Sequence, residues 1–464
     1  MYHIDLDKPV KVHFIGIGGI SMSGLAEILL DRGFTVSGSD TKASPLTDKL
    51  KGQGATIYTG QSASNIDPSL DVVIYTAAIG RDNPEFLEAS ASGIPMLTRA
   101  QLLGELMANY KTAIGIAGTH GKTTTTSMIS EILLASGKDP TISVGGMLSS
   151  IGGNVRIGHS DTFIAEACEY TNSFLSLAPT VEVILNIQED HLDFFKDIND
   201  IRHSFHKYAE LLDEKGTLVI NNEIPDVSEI YEGCKAKIVT FGENGDYSAS
   251  NIKCEADGCY SYDLMCRKGD NSADYENLGH IKLGVPGVHN VFNSLAAVAV
   301  ARSLSSPMDV IIDTLAHFTG ADRRFQKKGV VNGFTIIDDY AHHPTEIAAT
   351  LKAATAYPHN KLVCIFQPHT YTRTKAFLDD FAKALSMADE VILADIYAAR
   401  EKNTIGVSSQ DIKERIDALG TACTYLPSFE EIEKYVLANF GEGDLVITMG
   451  AGNIVNVGED LLTM

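Results

Sequence analysis

The stretch Ile114-Gly115-Ile116-Ala117-Gly118-Thr119-His120-Gly121-Lys122-Thr123-Thr124 carries the residue types, in the order, that phosphate chemistry needs. An apolar run that reads as a buried strand passes through a glycine turn into a helix opening on Lys-Thr-Thr. The turn lets the backbone N–H groups of Gly118, Thr119, His120 and Gly121 close around phosphate oxygens, and the helix start adds the positive end of its dipole. From there the Lys122 ammonium reaches β- and γ-phosphates, the Thr123 hydroxyl holds Mg²⁺, and Thr124 follows in the same turn. A standard P-loop opens on a glycine where this chain has Ile116, so the loop is a shortened variant, GTHGKT. ATP is the expected energy source, and the other polar clusters must show what it drives.

Near the N-terminus, Gly16 and Gly18 take the first two glycine places of a dinucleotide fingerprint, Ser21 stands at the third, and Gly19 is an extra glycine. Ser39 and Asp40 close the apparent second strand. This turn fits NAD, and it equally fits any diphosphate, including that of a nucleotide sugar. Further on, Glu166 and Glu169 follow one strand, with Ser173 shortly after, and Asn186, Asp190, His191 and Asp193 follow another. Carboxylate and imidazole at strand ends suit a second metal ion in phosphoryl transfer, which makes Glu166 and His191 metal candidates beside Thr123.

Asn290 and Asn293 lie one helical turn apart at a helix start, where amides contact adenine or phosphate, or simply cap the helix. Arg324, in the pair Arg323-Arg324, is placed to pin a γ-phosphate as an arginine finger does. Asp338, Asp339, Tyr340, His342, His343 and Glu346 crowd the end of one strand; His369, Tyr371 and Arg373 end the next; Asp395, Tyr397 and Arg400 end a third. Polar groups this dense are costly in a core and suit a crevice at strand C-termini.

The elements that must position these groups alternate. Strands at 10–15 and 72–75 and helices at 23–32, 84–92 and 100–109 read as βαβ units with a parallel sheet. Strands at 162–165, 181–186 and 217–221 and helices at 201–212 and 291–304 surround the ATP loop, and the polar stretch 243–279 reads as hairpins and loops at a domain edge. Strands at 333–338, 361–366, 390–395 and 444–449, with helices at 375–387 and 429–440, form a last α/β section. Length alone allows about three domains. The expectation is an α/β chain of three domains: a Rossmann-like one at 1–110, a central P-loop-type ATPase domain with a mixed or parallel sheet at 111–317, and a second Rossmann-like one at 318–464.

Hydrophobic residues make up 44% of the chain and charged residues 21%, as in ordinary globular proteins. A net charge of −23 argues against binding nucleic acid or anionic membranes, so an anionic substrate needs local positive groups. No apolar run approaches the ~18–20 residues that span a bilayer. The N-terminus shows no signal-peptide core, and the seven cysteines read as reduced thiols in a cytoplasmic protein, not as a metal site.

Taken together, GIGGISMSG, GTHGKTTTT, NIQEDHLD, HNVFN, RRFQ, DDYAHHPTE and FQPHTYTRT resemble the Mur ligase family in content and order along essentially the whole chain. The resemblance implies ATP- and Mg²⁺-dependent ligation of L-alanine to the carboxylate of UDP-N-acetylmuramate through an acyl phosphate, a cytoplasmic step in peptidoglycan precursor synthesis, by a monomer or homodimer. The runner-up within the family attaches a recycled peptide instead. By similarity, the first turn (Gly16, Gly18, Gly19, Ser39, Asp40) with Ser173 takes the sugar nucleotide. Lys122 and Thr123 take ATP and Mg²⁺, and Glu166 and His191 serve the metals. Asn290, Asn293, Arg324 and Asp339 match nucleotide and closure residues, while His342, His343, His369 and Arg373 match the amino-acid side. Where relatives commonly read E-A-D-E-S-D, this chain reads EACEYT, so Cys168 and Thr171 replace two carboxylates.

Overall fold

The computed structural model describes residues 2–76, 78–269, 272–399 and 401–464, so Arg400 lies outside the described residues. The N-terminal strands β1 (Lys11–Ile15), β2 (Thr35–Asp40), β3 (Thr56–Thr59), β4 (Val72–Tyr75) and β5 (Met96–Thr98) form a sheet in the order β3-β2-β1-β4-β5. All its pairings are parallel. Val12, Phe14 and Ile15 on β1 are buried, as are Val72, Val73 and Ile74 on β4, which is why these strands read as continuous apolar runs. Helices start where the sequence supplies caps: Ser44 before Pro45–Gly52, Asn83 before Pro84–Ala91, Thr98 before Arg99–Met107. The strand order reverses between β1 and β4, and such a switch point opens a ligand crevice beyond the strand C-termini.

Next come β6 (Thr112–Ala117), β7 (Thr141–Leu148), β8 (Gly153–Arg156), β9 (Thr162–Glu166), β10 (Val181–Ile184), β11 (Thr217–Asn221) and β12 (Lys237–Phe241), in the order β12-β11-β10-β6-β9-β7-β8. β6 lies between β10 and β9, parallel to both, with Ile114, Ile116 and Ala117 fully buried. β8, the edge, is antiparallel to β7. By compactness the chain separates into two units. One runs through Gln188 and adds Ile198–Thr240 and Ala299–Leu304; the other comprises Glu189–Asp197, Phe241–Val298 and the chain from Ser305.

In the second unit, β13 (Tyr247–Cys254), β14 (Cys259–Arg267) and β15 (Tyr275–Pro286) form antiparallel hairpins. The polar stretch 243–279 thus forms the hairpins expected of it. Its polarity reflects one wet face: on β15, buried Ile281, Leu283 and Val285 alternate with exposed His280 and Lys282. The last sheet joins β16 (Gln326–Val331), β17 (Phe334–Asp339), β18 (Leu362–Phe366), β19 (Glu390–Leu393), β20 (Ala422–Tyr425) and β21 (Leu445–Met449) in the order β16-β17-β21-β18-β19-β20. β16 is antiparallel to β17, and the other pairings are parallel. The single helix expected at 375–387 is two, Tyr371–Ala376 and Leu378–Leu385. The break is at Phe377 (φ −119°, ψ 26°), whose ring packs edge-on against His343 at 4.9 Å. Tertiary packing has overridden local helix preference there.

All seven cysteines are free thiols. Among the described residues no helix is long and apolar enough to cross a membrane.

Candidate active site

In the first unit, the ATP-type loop leaves β6 at Ala117 and ends where helix Lys122–Ala135 begins. Gly118 has φ +145°, and a Cβ there would lie 2.9 Å from Leu185 Cβ; Gly121 caps the helix in the left-handed region at φ 85°. Only glycine meets both demands. The chain just after β10 clamps the loop from the side. Asn186 accepts from the Thr119 N–H through its carbonyl (3.1 Å) and from the His120 N–H through Oδ1 (2.8 Å), and its Nδ2 donates to the His120 carbonyl (3.0 Å). Gln188 N–H donates to Thr119 Oγ1 at 2.9 Å, and its Oε1 lies 3.1 Å from His120 Nε2.

Lys122 Nζ donates to the Gly118 and Thr119 carbonyls (2.5 and 3.1 Å) and to both oxygens of Glu169 (2.9 and 3.2 Å). Burial disfavours the ammonium, but Glu169 outweighs it, so Lys122 titrates above its ordinary value and stays charged. Thr123 is buried in the first helical turn and Thr124 half-buried beside it. Glu166, at the end of β9, accepts the Gly145 N–H at 2.6 Å. Ser173 donates to the Tyr170 carbonyl at 2.8 Å, in the turn Tyr170–Ser176 where Thr171 and Asn172 both adopt left-handed backbone (φ 54° and 57°).

At the switch point of the first sheet, Gly16 (φ 84°) and Ile17 each donate an N–H to the Ser39 carbonyl at 2.9 Å. The Gly18 N–H donates to Asp40 Oδ2 at 2.8 Å, and a Cβ on Gly18 would meet that oxygen at the same distance. Gly19 caps helix Ile20–Asp31. The Ser39 hydroxyl points inward, donating to Glu85 Oε2 at 2.5 Å.

A second constellation belongs to the second unit. Asp190 is buried and accepts from Arg373 Nη2 at 3.0 Å; His191, in left-handed backbone (φ 53°), brings Nε2 to 3.7 Å of Asp190 Oδ2. Burial favours the neutral acid, but the Arg373 guanidinium, then His191 and His343, hold Asp190 well below the usual carboxylate range. From Arg373 a chain of ring contacts runs outward. Its Nη1 lies 3.4 Å from His369 Nδ1, His369 stacks on Tyr397 (centroids 5.6 Å) and meets His342 (5.8 Å), and His342 meets Tyr340 (5.5 Å).

The Arg324 guanidinium lies over Tyr340 at 5.3 Å, and that of Arg323 at 4.8 Å. Burial brings His342 down to about 4; Glu346 opposes the shift and Arg373 adds to it. His343 is a buried N-cap, its Nδ1 accepting the Thr345 N–H at 3.3 Å. Asp339 accepts the N–H groups of Ala341 (2.7 Å) and Phe325 (2.8 Å), and burial, against Arg324, pushes its carboxyl up to about 6. Asn290 Nδ2 donates to the Pro286 carbonyl (2.7 Å) and Asn293 Nδ2 to Asn290 Oδ1 (2.9 Å), so the two amides act in series.

Five polar partners were not among the sequence candidates for these roles: Glu169 on Lys122, Asn186 and Gln188 on the loop, Asp190 on Arg373, and Arg323. The last spans Asp338 (3.0 Å) and the carbonyls of Gly450 (2.6 Å) and Gly452 (3.1 Å). All five stand inside motifs visible in the sequence, EACEYT, NIQEDHLD and RRFQ, but their partners are distant along the chain.

Three stretches match Mur ligase domains: residues 11–111 the Mur ligase family catalytic domain, 116–301 the Mur ligase middle domain, and 323–452 the Mur ligase glutamate ligase domain. The chain is 60% identical to the UDP-N-acetylmuramate–L-alanine ligase of Agathobacter rectalis and 58% identical to that of Lachnospira eligens, each over the full length of both proteins. A crystal structure of the UDP-N-acetylmuramate–alanine ligase of Thermotoga maritima, 29% identical, superposes with a TM-score of 0.81 over 98% of each chain. Sequence order, three-domain α/β fold and strand-end chemistry agree: the chain belongs to the Mur ligase family.

Proposed function

We infer that the chain joins L-alanine to the carboxylate of UDP-N-acetylmuramate at the expense of ATP. The observation that carries this reading is full-length identity of 58–60% to two relatives bearing that name, which also favours alanine over a recycled peptide as the amine. The geometry suits the task. A carboxylate and an amine do not condense in neutral water. Transfer of the γ-phosphoryl group to a carboxylate oxygen, with ADP leaving, makes an acyl phosphate. The alanine nitrogen then attacks the acyl carbon, the tetrahedral adduct expels phosphate, and an amide remains.

In this reading the loop from Gly118 to Thr124 holds the ATP phosphates, and Lys122, kept charged by Glu169, turns from the loop carbonyls to phosphate oxygens. Thr123 and Glu166 offer hard oxygens, the donor type Mg²⁺ prefers, and His191 offers an imidazole for a second ion. Bound Mg²⁺ neutralises charge on the transferring phosphoryl group. Asn290, Asn293, Arg324 and Asp339 serve the nucleotide. The turn Gly16, Gly18, Gly19 with Ser39 and Asp40, together with Ser173, serves the sugar nucleotide. Arg373 meets the alanine carboxylate as a fork, beside His369 and His342. An amine proton must leave; His342, neutral at pH 7, and His343 are the nearby imidazoles. The setting is the cytoplasm, and the protein acts as a monomer or homodimer.

The test is phosphate release with MgATP. Release should require both UDP-N-acetylmuramate and L-alanine, match amide formed one for one, and vanish in Lys122→Ala while that variant still binds the sugar nucleotide. Release with either co-substrate omitted would refute ligation.

A further inference from the structure

In the first unit a carboxylate is fully buried where no phosphate, metal or amino acid needs it. Glu85 opens helix Pro84–Ala91, just after β4, with 0% of its surface exposed. Oε2 accepts the Ser39 hydroxyl at 2.5 Å. Oε1 accepts Asn65 Nδ2 at 2.6 Å and the Ser62 N–H at 3.3 Å. His13, on β1 and equally buried, brings Nε2 to 3.6 Å of Oε2, an ion-pair distance; its Nδ1 lies 2.9 Å from Ser37 Oγ, which sets the ring. Burial alone would raise this carboxyl, but His13, Ser39 and Asn65 hold it below the ordinary glutamate value, so it stays ionised.

Glu85 follows β4 on one side of the switch point, and its partners, on β1, at the end of β2 and after β3, all lie on the other. Ser39 ends β2, and its carbonyl takes the Gly16 and Ile17 N–H groups at 2.9 Å. The next residue, Asp40, takes the Gly18 N–H through Oδ2, and its carbonyl takes the Gly60 N–H at 2.7 Å. Asn65 donates to the Gly60 carbonyl at 3.1 Å as well as to Glu85. One carboxylate in the first turn of helix Pro84–Ala91 thus ties the β2 end and the loop after β3 to the glycine turn. Burying an ion is costly, and an apolar residue would fill the space with less penalty. A charge met by this many donors, one bond behind a ligand-binding turn, is what preorganisation of a site requires.

We propose that Glu85 is the positioning residue of the sugar-nucleotide crevice, its buried carboxylate fixing Ser39, Asp40 and the 60–65 loop where the diphosphate and ribose are gripped. This rests on the reading that the first sheet takes UDP-N-acetylmuramate. The test uses the full-length protein, wild type and Glu85→Gln, in calorimetric titration with UDP-N-acetylmuramate and in steady-state assays for all three substrates. The glutamine amide cannot accept from both sides at once, so affinity for the sugar nucleotide should fall about tenfold or more, with its KM rising in step. KM for ATP and alanine, and kcat at saturation, should stay within about twofold, because Glu85 touches neither.

Unchanged sugar-nucleotide binding in a folded Glu85→Gln protein would overturn the proposal, as would equal losses for all three substrates. Should Glu85→Gln not fold, Ser39→Ala removes a single donor to the same oxygen and must weaken sugar-nucleotide binding selectively; unaltered binding there is equally fatal. A wild-type protein that fails to bind UDP-N-acetylmuramate would instead refute the functional reading.

Discussion

Lys122 and Glu169 show how far one residue can be read alone. The lysine is legible from Gly-Lys-Thr at a helix start. Its partner, 47 positions on, is not, because nothing in local sequence says which carboxylate will fold onto which ammonium. Side-chain exposure is 17% for Lys122 and 3% for Glu169, so solvent screens this pair far less than a surface bridge. Removing one member leaves the other buried and uncompensated. Glu169→Ala should therefore cost about 3–5 kcal/mol, whereas a Lys122→Met, Glu169→Leu double variant should recover most of that stability while remaining inactive. Urea unfolding of the four proteins, followed by circular dichroism, measures this. If Glu169→Ala unfolded at the wild-type midpoint, the ion pair would have no structural weight and Glu169 would matter only to ligand. Asp190 and Arg373 repeat the lesson over 183 positions: both lie in motifs visible in the sequence, but their meeting is a property of the fold.

At the scale of elements, the sequence was most legible where periodicity and punctuation agree. The strand–turn–helix of the ATP loop and the strands at 72–75 and 217–221 fall where expected, because apolar runs bounded by glycine or polar residues admit one regular solution. It was least legible where packing or a solvated face decided the outcome. Phe377 divides an otherwise plausible helix, and in the polar stretch 243–279 the hairpins are as expected while the bounds of β13 to β15 were not legible, because polar residues on their wetter face interrupt the apolar alternation. Glycines separate cleanly by the same reasoning. Gly118 needs φ +145° and has no room for a Cβ; Gly137 has φ +73° and nothing within 4 Å. Gly137→Ala should cost only the left-handed backbone, about 1 kcal/mol, and leave activity intact. Gly118→Ala adds the clash with Leu185, distorts the loop and should abolish ATP-dependent turnover, even at temperatures where the protein remains folded. Equal activity of the two variants in a phosphate-release assay, with both shown folded by their melting curves, would mean the loop does not depend on the Gly118 backbone.

For the molecule as a whole, the dominant physical fact is an excess of 60 acidic over 37 basic residues. Two of the proposed substrates, MgATP and the sugar nucleotide, are anions, so the long-range field opposes their approach while cations such as Lys122 and Arg324 attract only at short range. Salt acts differently on the two. The Debye length falls from ~30 Å at 0.01 M to ~10 Å at 0.1 M, which removes repulsion summed over the surface before it weakens buried pairings. With alanine and MgATP saturating and free Mg²⁺ fixed, kcat/KM for UDP-N-acetylmuramate should rise over that range and fall only at higher salt. L-Alanine, a zwitterion of no net charge, supplies the control: its kcat/KM should change little from 0.01 to 0.1 M. A steep fall for the sugar nucleotide from the lowest salt upward would show that the local cations, not the acidic surface, govern its encounter, and that the net charge of the chain is irrelevant to catalysis.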